Sequence, residues 1–87
     1  MRYYSIGTVV LLKNSDRALM IYGRMQRQQT SGKVFDYVAC LYPEGNLRED
    51  YNVFFEHEEI ETVVHMGFQC ELENQMQEIL QRANVLS

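Results

Sequence analysis

The sequence predicts an α+β domain: a small antiparallel β-sheet of about five short strands, curled into an SH3-like partly open barrel and followed by a C-terminal amphipathic helix. Three observations carry this. Short runs rich in Val, Ile, Leu, Tyr and Phe alternate with turn residues from Ile6 to Gly67. Gly23 interrupts the second of these runs, where a bulge or bend would curl a sheet. After Gly67 the apolar spacing lengthens to three and four residues, the period of a helix. An open antiparallel sheet with the helix across one face is the other arrangement of the same elements.

The strongest strand is Phe35-Asp36-Tyr37-Val38-Ala39-Cys40-Leu41-Tyr42, closed by Pro43-Glu44-Gly45-Asn46. Apolar residues occupy both parities, so this strand is expected at the centre, covered on both faces. Ile6 to Lys13 reads as the first strand, and Asn14-Ser15-Asp16 as the hairpin turn that returns the chain through Ala18-Leu19-Met20-Ile21-Tyr22. Arg24 to Lys33 turns polar and is expected to be strand end plus exposed loop. It holds three of the eight basic residues and so forms a local positive patch. Tyr51 to Phe55 reads as a short strand. His57-Glu58-Glu59-Ile60 reads as one helical turn that drops Ile60 onto the core, and Glu61 to Gly67 as the last strand.

From about Glu71 to Val85, Leu72, Met76, Ile79, Leu80 and Ala83, with Leu86 beyond, fall on one helical face, while Asn74, Gln75, Gln77, Gln81 and Asn84 fall on the other. Glu71 and Glu73 in the first turn and Arg82 in the last complement the helix dipole. A helix this short is marginal alone, so its apolar stripe needs a surface, either its own sheet or a partner.

With 87 residues and 46% hydrophobic content the chain builds one core, and a single domain over 1–87 is expected. No stretch approaches the roughly 18 apolar residues of a membrane span, and no signal peptide is evident, so no membrane partner and a cytoplasmic location are expected. Cys40 and Cys70 are then expected to be reduced thiols. Twelve acidic against eight basic residues give a net charge of −4, which disfavours a nucleic-acid partner and favours a protein one. A homo-oligomer is compatible with this composition.

The residues that could carry chemistry each have a plainer role. His57, Glu58, Glu61 and His65 are metal-ligand types, but Glu61 stands where a His-Glu-x-x-His motif needs its second histidine. Asp36 among aromatic residues could act as a base; without a nucleophile nearby it reads as bonding backbone or an arginine across the sheet, with Arg24 as the candidate. Cys40 in mid-strand is protected instead of activated. The six tyrosines, Tyr3, Tyr4, Tyr22, Tyr37, Tyr42 and Tyr51, either line a recognition surface or complete the core. No catalytic set, metal or cofactor is called for, and the chain is read as no enzyme.

The blocks Ile6–Lys13, Ile21–Gln26, Asp36–Gly45 and Phe54–Val63, followed by Gly67-Phe68, together resemble a small bacterial family of unknown biochemical function. Its members are encoded beside LXG toxins of the type VIIb secretion system in Gram-positive bacteria. The resemblance covers Ile6 to about Phe68; beyond it the family often shows a more acidic tail where this chain has Cys70 and a Gln- and Asn-rich helix. The resemblance implies a non-enzymatic adaptor or chaperone that binds the helical LXG region of a toxin and assists its export. Within the matching blocks, Arg24, Gln26, Tyr42, Glu44 and His57 carry side chains able to make outward polar contacts, and these are the candidate protein-contact residues. A nucleic-acid-binding small barrel, using the basic loop and exposed tyrosines, and a general protein-interaction module are the alternatives.

Overall fold

A computed structural model describes residues 1–86, with the side chains of residues 1–83. The strands are β1 (Val9–Leu12), β2 (Leu19–Arg27), β3 (Val34–Leu41), β4 (Val53–Phe55) and β5 (Ile60–His65), and the helix is α1 (Glu71–Leu86). Single 3₁₀ turns span Glu49–Tyr51 and His57–Glu59. The strands form one antiparallel sheet in the order β4-β3-β2-β1-β5. The α+β class, the five strands and the terminal helix are as expected, and the sheet is open, with β4 and β5 as its edges. β2 holds the central position and β3 lies beside it. Both faces of β3 are nevertheless covered, because Tyr37, Val38, Ala39 and Cys40 are all buried in succession.

The main difference from expectation is in β2. Gly23 makes a bulge: the register against β3 shifts between Ile21 and Gly23, yet the strand continues to Arg27. Glycine is required there because a Cβ would stand 2.8 Å from Cγ1 of Val38. Continuing the strand places Arg24, expected in the segment of strand end and loop, within the sheet opposite Tyr37. The loop itself shrinks to residues 28–33.

The core lies on one face of the sheet. Val10, Leu19, Ile21, Tyr37, Ala39 and Phe55 project into it, with Leu12, Leu41, Val53, Ile60 and Val63 partly buried around them. Two elements cover that face: α1, through Leu80, and the N-terminal segment, through Tyr3 and Tyr4. The His57–Glu59 turn returns Ile60 to the core as expected.

The N-terminal segment has no strand or helix of its own, and polar contacts hold it. Ser5 and Thr8 are buried and share a 3.2 Å hydroxyl contact, Gln69 Nε2 donates to Ser5 Oγ at 2.6 Å, and the Gly67 N–H donates to Thr8 Oγ1 at 3.0 Å. Gly67 ends β5 as the sequence suggests, but its physical role is close approach: a Cβ would collide with the Ile6 carbonyl and stand 2.8 Å from the Thr8 nitrogen. Cys40 is buried, Cys70 is half-buried, and both are free thiols.

Candidate functional site

The orientation of α1 defines the candidate site. In a helix each residue advances roughly 100° around the axis, so Leu72, Met76, Ile79 and Ala83 share a narrow stripe while Glu73, Gln77 and Gln81 lie roughly a third of a turn away. Of the two surfaces the sequence leaves open for the apolar stripe, its own sheet is not the one used. Instead, the polar arc packs inward: Gln77 is 4% exposed, Glu73 and Gln81 are half-buried, and Leu80, on the border of the two arcs, is the helix residue that enters the core cluster. Leu72 is 75% exposed, Ile79 50% and Met76 37%. The expectations for Asn84 and Leu86 concern side chains outside the described residues.

A polar network accounts for this rotation. Arg24 and Glu73 form a bidentate ion pair, Nη1 to Oε2 at 2.6 Å and Nη2 to Oε1 at 3.0 Å, with the two side chains 6% and 10% exposed. Arg24 Nη1 also donates to the Tyr4 carbonyl at 3.2 Å. The Gln77 amide reads both backbone groups of Tyr3, accepting its N–H at 3.1 Å and donating to its carbonyl at 2.7 Å, and also donates to Glu73 Oε2 at 2.7 Å. Arg2 reaches Asn74 Oδ1 at 3.3 Å, and Gln81 donates to the Met1 carbonyl. The helix thus supplies side-chain amides and a carboxylate to a backbone segment that lacks a strand partner, and β2 supplies the guanidinium. Burial pushes the Glu73 carboxyl up, but hydrogen bonds from Arg24 and Gln77 and the positive charge of Arg24 outweigh it and hold the group below its ordinary 4.5.

With its polar side engaged, α1 presents Leu72, Met76 and Ile79 to solvent, with Ala83 half-buried. At its N-terminal end the stripe merges with other exposed apolar groups. Ile6, Phe68, Cys70 and Leu72 line a shallow depression of about 350 Å³ with Glu73, and the Phe68 ring is 80% exposed. A contiguous apolar surface of this kind marks an interaction site more often than a scattering of single residues does.

The five sequence-predicted contact residues do not gather at this surface. Arg24 is buried in the network just described and has no outward face. Its expected pairing with Asp36 is replaced by the pair with Glu73, and Asp36 Oδ2 accepts the His57 backbone N–H at 2.9 Å, the backbone-bonding role also foreseen for it. His57 is half-buried, its Nδ1 2.7 Å from the Tyr37 hydroxyl and its ring stacked on Tyr4 at 5.1 Å. Burial raises the Tyr37 hydroxyl well above its ordinary 10.0, so the proton is retained. The Tyr37 oxygen also accepts the Tyr4 N–H at 3.0 Å. Gln26 is exposed near the end of β2, its amide donating to the Arg24 carbonyl at 3.0 Å. Tyr42 and Glu44 are exposed together at the β3 turn, where Arg17 pairs with the Glu44 carboxylate and donates to the Tyr42 carbonyl at 3.2 Å.

The expected basic patch is reduced in the same way. Arg24 is internal, Arg27 donates to the Gly32 carbonyl, and Lys33 lies 4.6 Å over the Phe35 ring. The tyrosines divide: Tyr3 and Tyr37 complete the core, whereas Tyr22, Tyr42 and Tyr51 are exposed. His57 and His65 sit on different elements, and among the described residues no three His, Cys, Asp or Glu side chains gather as a metal site. Among the described residues no helix is long and apolar enough to cross a membrane.

The residues that sequence reasoning missed are Glu73 and Gln77. Their spacing of four on one helical face, opposite the stripe, was the available signal. It became interpretable only with Arg24 inside a strand.

No curated protein and no solved structure matches the chain. The family model described as a domain of unknown function, DUF4176, matches residues 3–76, which include the N-terminal segment, the whole sheet and the first turn of α1 with Glu73. The chain belongs to this family of domains of unknown function.

Proposed function

We propose that this domain is a non-enzymatic adaptor or chaperone that binds the helical region of an LXG-type toxin through the outward stripe of α1 and assists its export by the type VIIb secretion system. The observation that carries the reading is the rotation of α1, which commits the polar arc to the domain and leaves Leu72, Met76 and Ile79 exposed. The stripe repeats at four, three and four residues, the spacing of a coiled-coil seam, so the complementary surface is another amphipathic helix. The identity of that helix as an LXG region rests on the resemblance of the sequence blocks described above.

Strand addition at a sheet edge is the competing mode of protein binding, and both edges disfavour it. β4 has three residues and lies between two 3₁₀ turns, while β5 carries two register irregularities against β1 and an exposed Glu61. Nucleic-acid binding loses Arg24 from its basic loop and keeps the acidic balance against it.

Co-expression with the LXG region of a neighbouring toxin, followed by size-exclusion chromatography, tests the reading. Wild type is expected to co-elute with the toxin region, and Met76→Asp to elute apart from it while remaining folded. Separate elution of the wild-type pair would overturn the assignment.

A further inference from the structure

The same face has a second use that does not depend on the identity of the toxin. We propose that in the free protein α1 pairs antiparallel with α1 of a second copy, covering the stripe until a partner helix displaces it. In that alignment Leu72 sets against Ala83 of the other copy and Met76 against Ile79, so each layer joins a larger side chain to an equal or smaller one. The two-fold axis repeats both layers, and four apolar positions per helix are covered by four.

The charges select this direction. One flank of the stripe is closed by the domain itself, through Leu80 and Glu73. The other flank is open and carries Glu71, Gln75, Glu78 and Arg82, all exposed, with Glu78 turned farthest from the seam. In the antiparallel alignment Arg82 stands level with position 73 of the second copy, and Glu71 lies on the same open flank two residues, about 3 Å along the axis, from that level. Glu71 of each copy therefore meets Arg82 of the other, twice by symmetry, and among the described residues neither makes an ion pair within its own chain. In a parallel pair the open flank of one helix would face the closed flank of the other, so this Glu71–Arg82 contact would not form, and the helix dipoles would align unfavourably.

Sedimentation equilibrium of the isolated 87-residue chain tests this. The weight-average mass of wild type is expected to rise on concentration from one chain mass of 10.3 kDa toward two. Arg82→Glu should weaken self-association by roughly tenfold, because two attractions become repulsions. The swap Glu71→Arg with Arg82→Glu should restore it, and Ile79→Asp should leave a monomer with unchanged circular dichroism. A wild type that stays monomeric at every concentration would overturn the inference, as would a dimer insensitive to Ile79→Asp. A monomer that still binds the LXG region would remove this inference and leave the adaptor reading standing, whereas a dimer that ignores the LXG region would do the reverse.

Discussion

Arg24 and Glu73 give the sharpest test of why α1 sits as it does. Their side chains are 6% and 10% exposed and joined by two hydrogen bonds, so replacing one leaves the other buried without its partner. Arg24→Met is expected to destabilise the domain by about 3–5 kcal/mol, against well under 1 kcal/mol for an exposed pair. The Tyr4 carbonyl also loses a donor in this variant. For a domain of this length, 3 kcal/mol corresponds to a fall in Tm of roughly 12–24 °C. The double variant Arg24→Met, Glu73→Leu removes both charges and replaces them with side chains of similar volume, so it should recover most of that loss and lie within about 2 kcal/mol of wild type. Urea denaturation followed by circular dichroism and tyrosine fluorescence measures all four corners of the cycle. A loss below about 1 kcal/mol for Arg24→Met, or a double variant as unstable as the single, would refute the claim that this pair sets the helix against β2.

Four other outcomes follow from the same contacts. Because Glu73 is held below its ordinary 4.5, its contribution is complete above that pH and is lost as pH falls through its folded value; acid titration of stability should be steeper for wild type than for Glu73→Gln. Tyr37 shifts the other way: its contribution is complete below its ordinary 10.0 and is lost at higher pH, so Tyr37→Phe should cost about 1–2 kcal/mol at neutral pH and flatten the alkaline limb of the curve. Gly67→Ala forces a Cβ against the Ile6 carbonyl and should lower stability by about 2–4 kcal/mol in thermal melts. Leu80→Asp should unfold the free protein, whereas Leu72→Asp at the exposed position about two turns earlier should change stability little, within about 0.5 kcal/mol; equal effects of the two would contradict the helix orientation.

Much of the sheet was legible because its signals are local. The β-branched and aromatic runs, the Asn14 to Asp16 turn, the glycine bulge and the turn at His57 each depend on residues within a few positions of one another. The helix was legible as a helix for the same reason. Its rotation was not, because the residues that fix it are distant: the Gln77 amide bonds the backbone of Tyr3, 74 positions away, and Glu73 bonds Arg24, 49 positions away. Read alone, the apolar stripe fits its own sheet or a partner, and only the backbone groups of an unpaired N-terminal segment make the polar arc the better fit to the domain. The same distance explains Arg24. A strand that runs through a glycine bulge carries the arginine into the interior, so a residue read as a surface contact becomes an internal tie, and Arg24→Glu probes folding instead of binding.

The proposed partner-binding face of α1 is Leu72, Met76 and Ile79, and a binding titration of the LXG region against wild type, Ile79→Asp and Gln75→Asp tests that proposal most directly. Ile79→Asp is expected to stay folded, with unchanged circular dichroism, and lose at least roughly tenfold in affinity, with Gln75→Asp on the open flank changing it by far less. A folded Ile79→Asp variant that binds as tightly as wild type would show that the stripe is not the binding face.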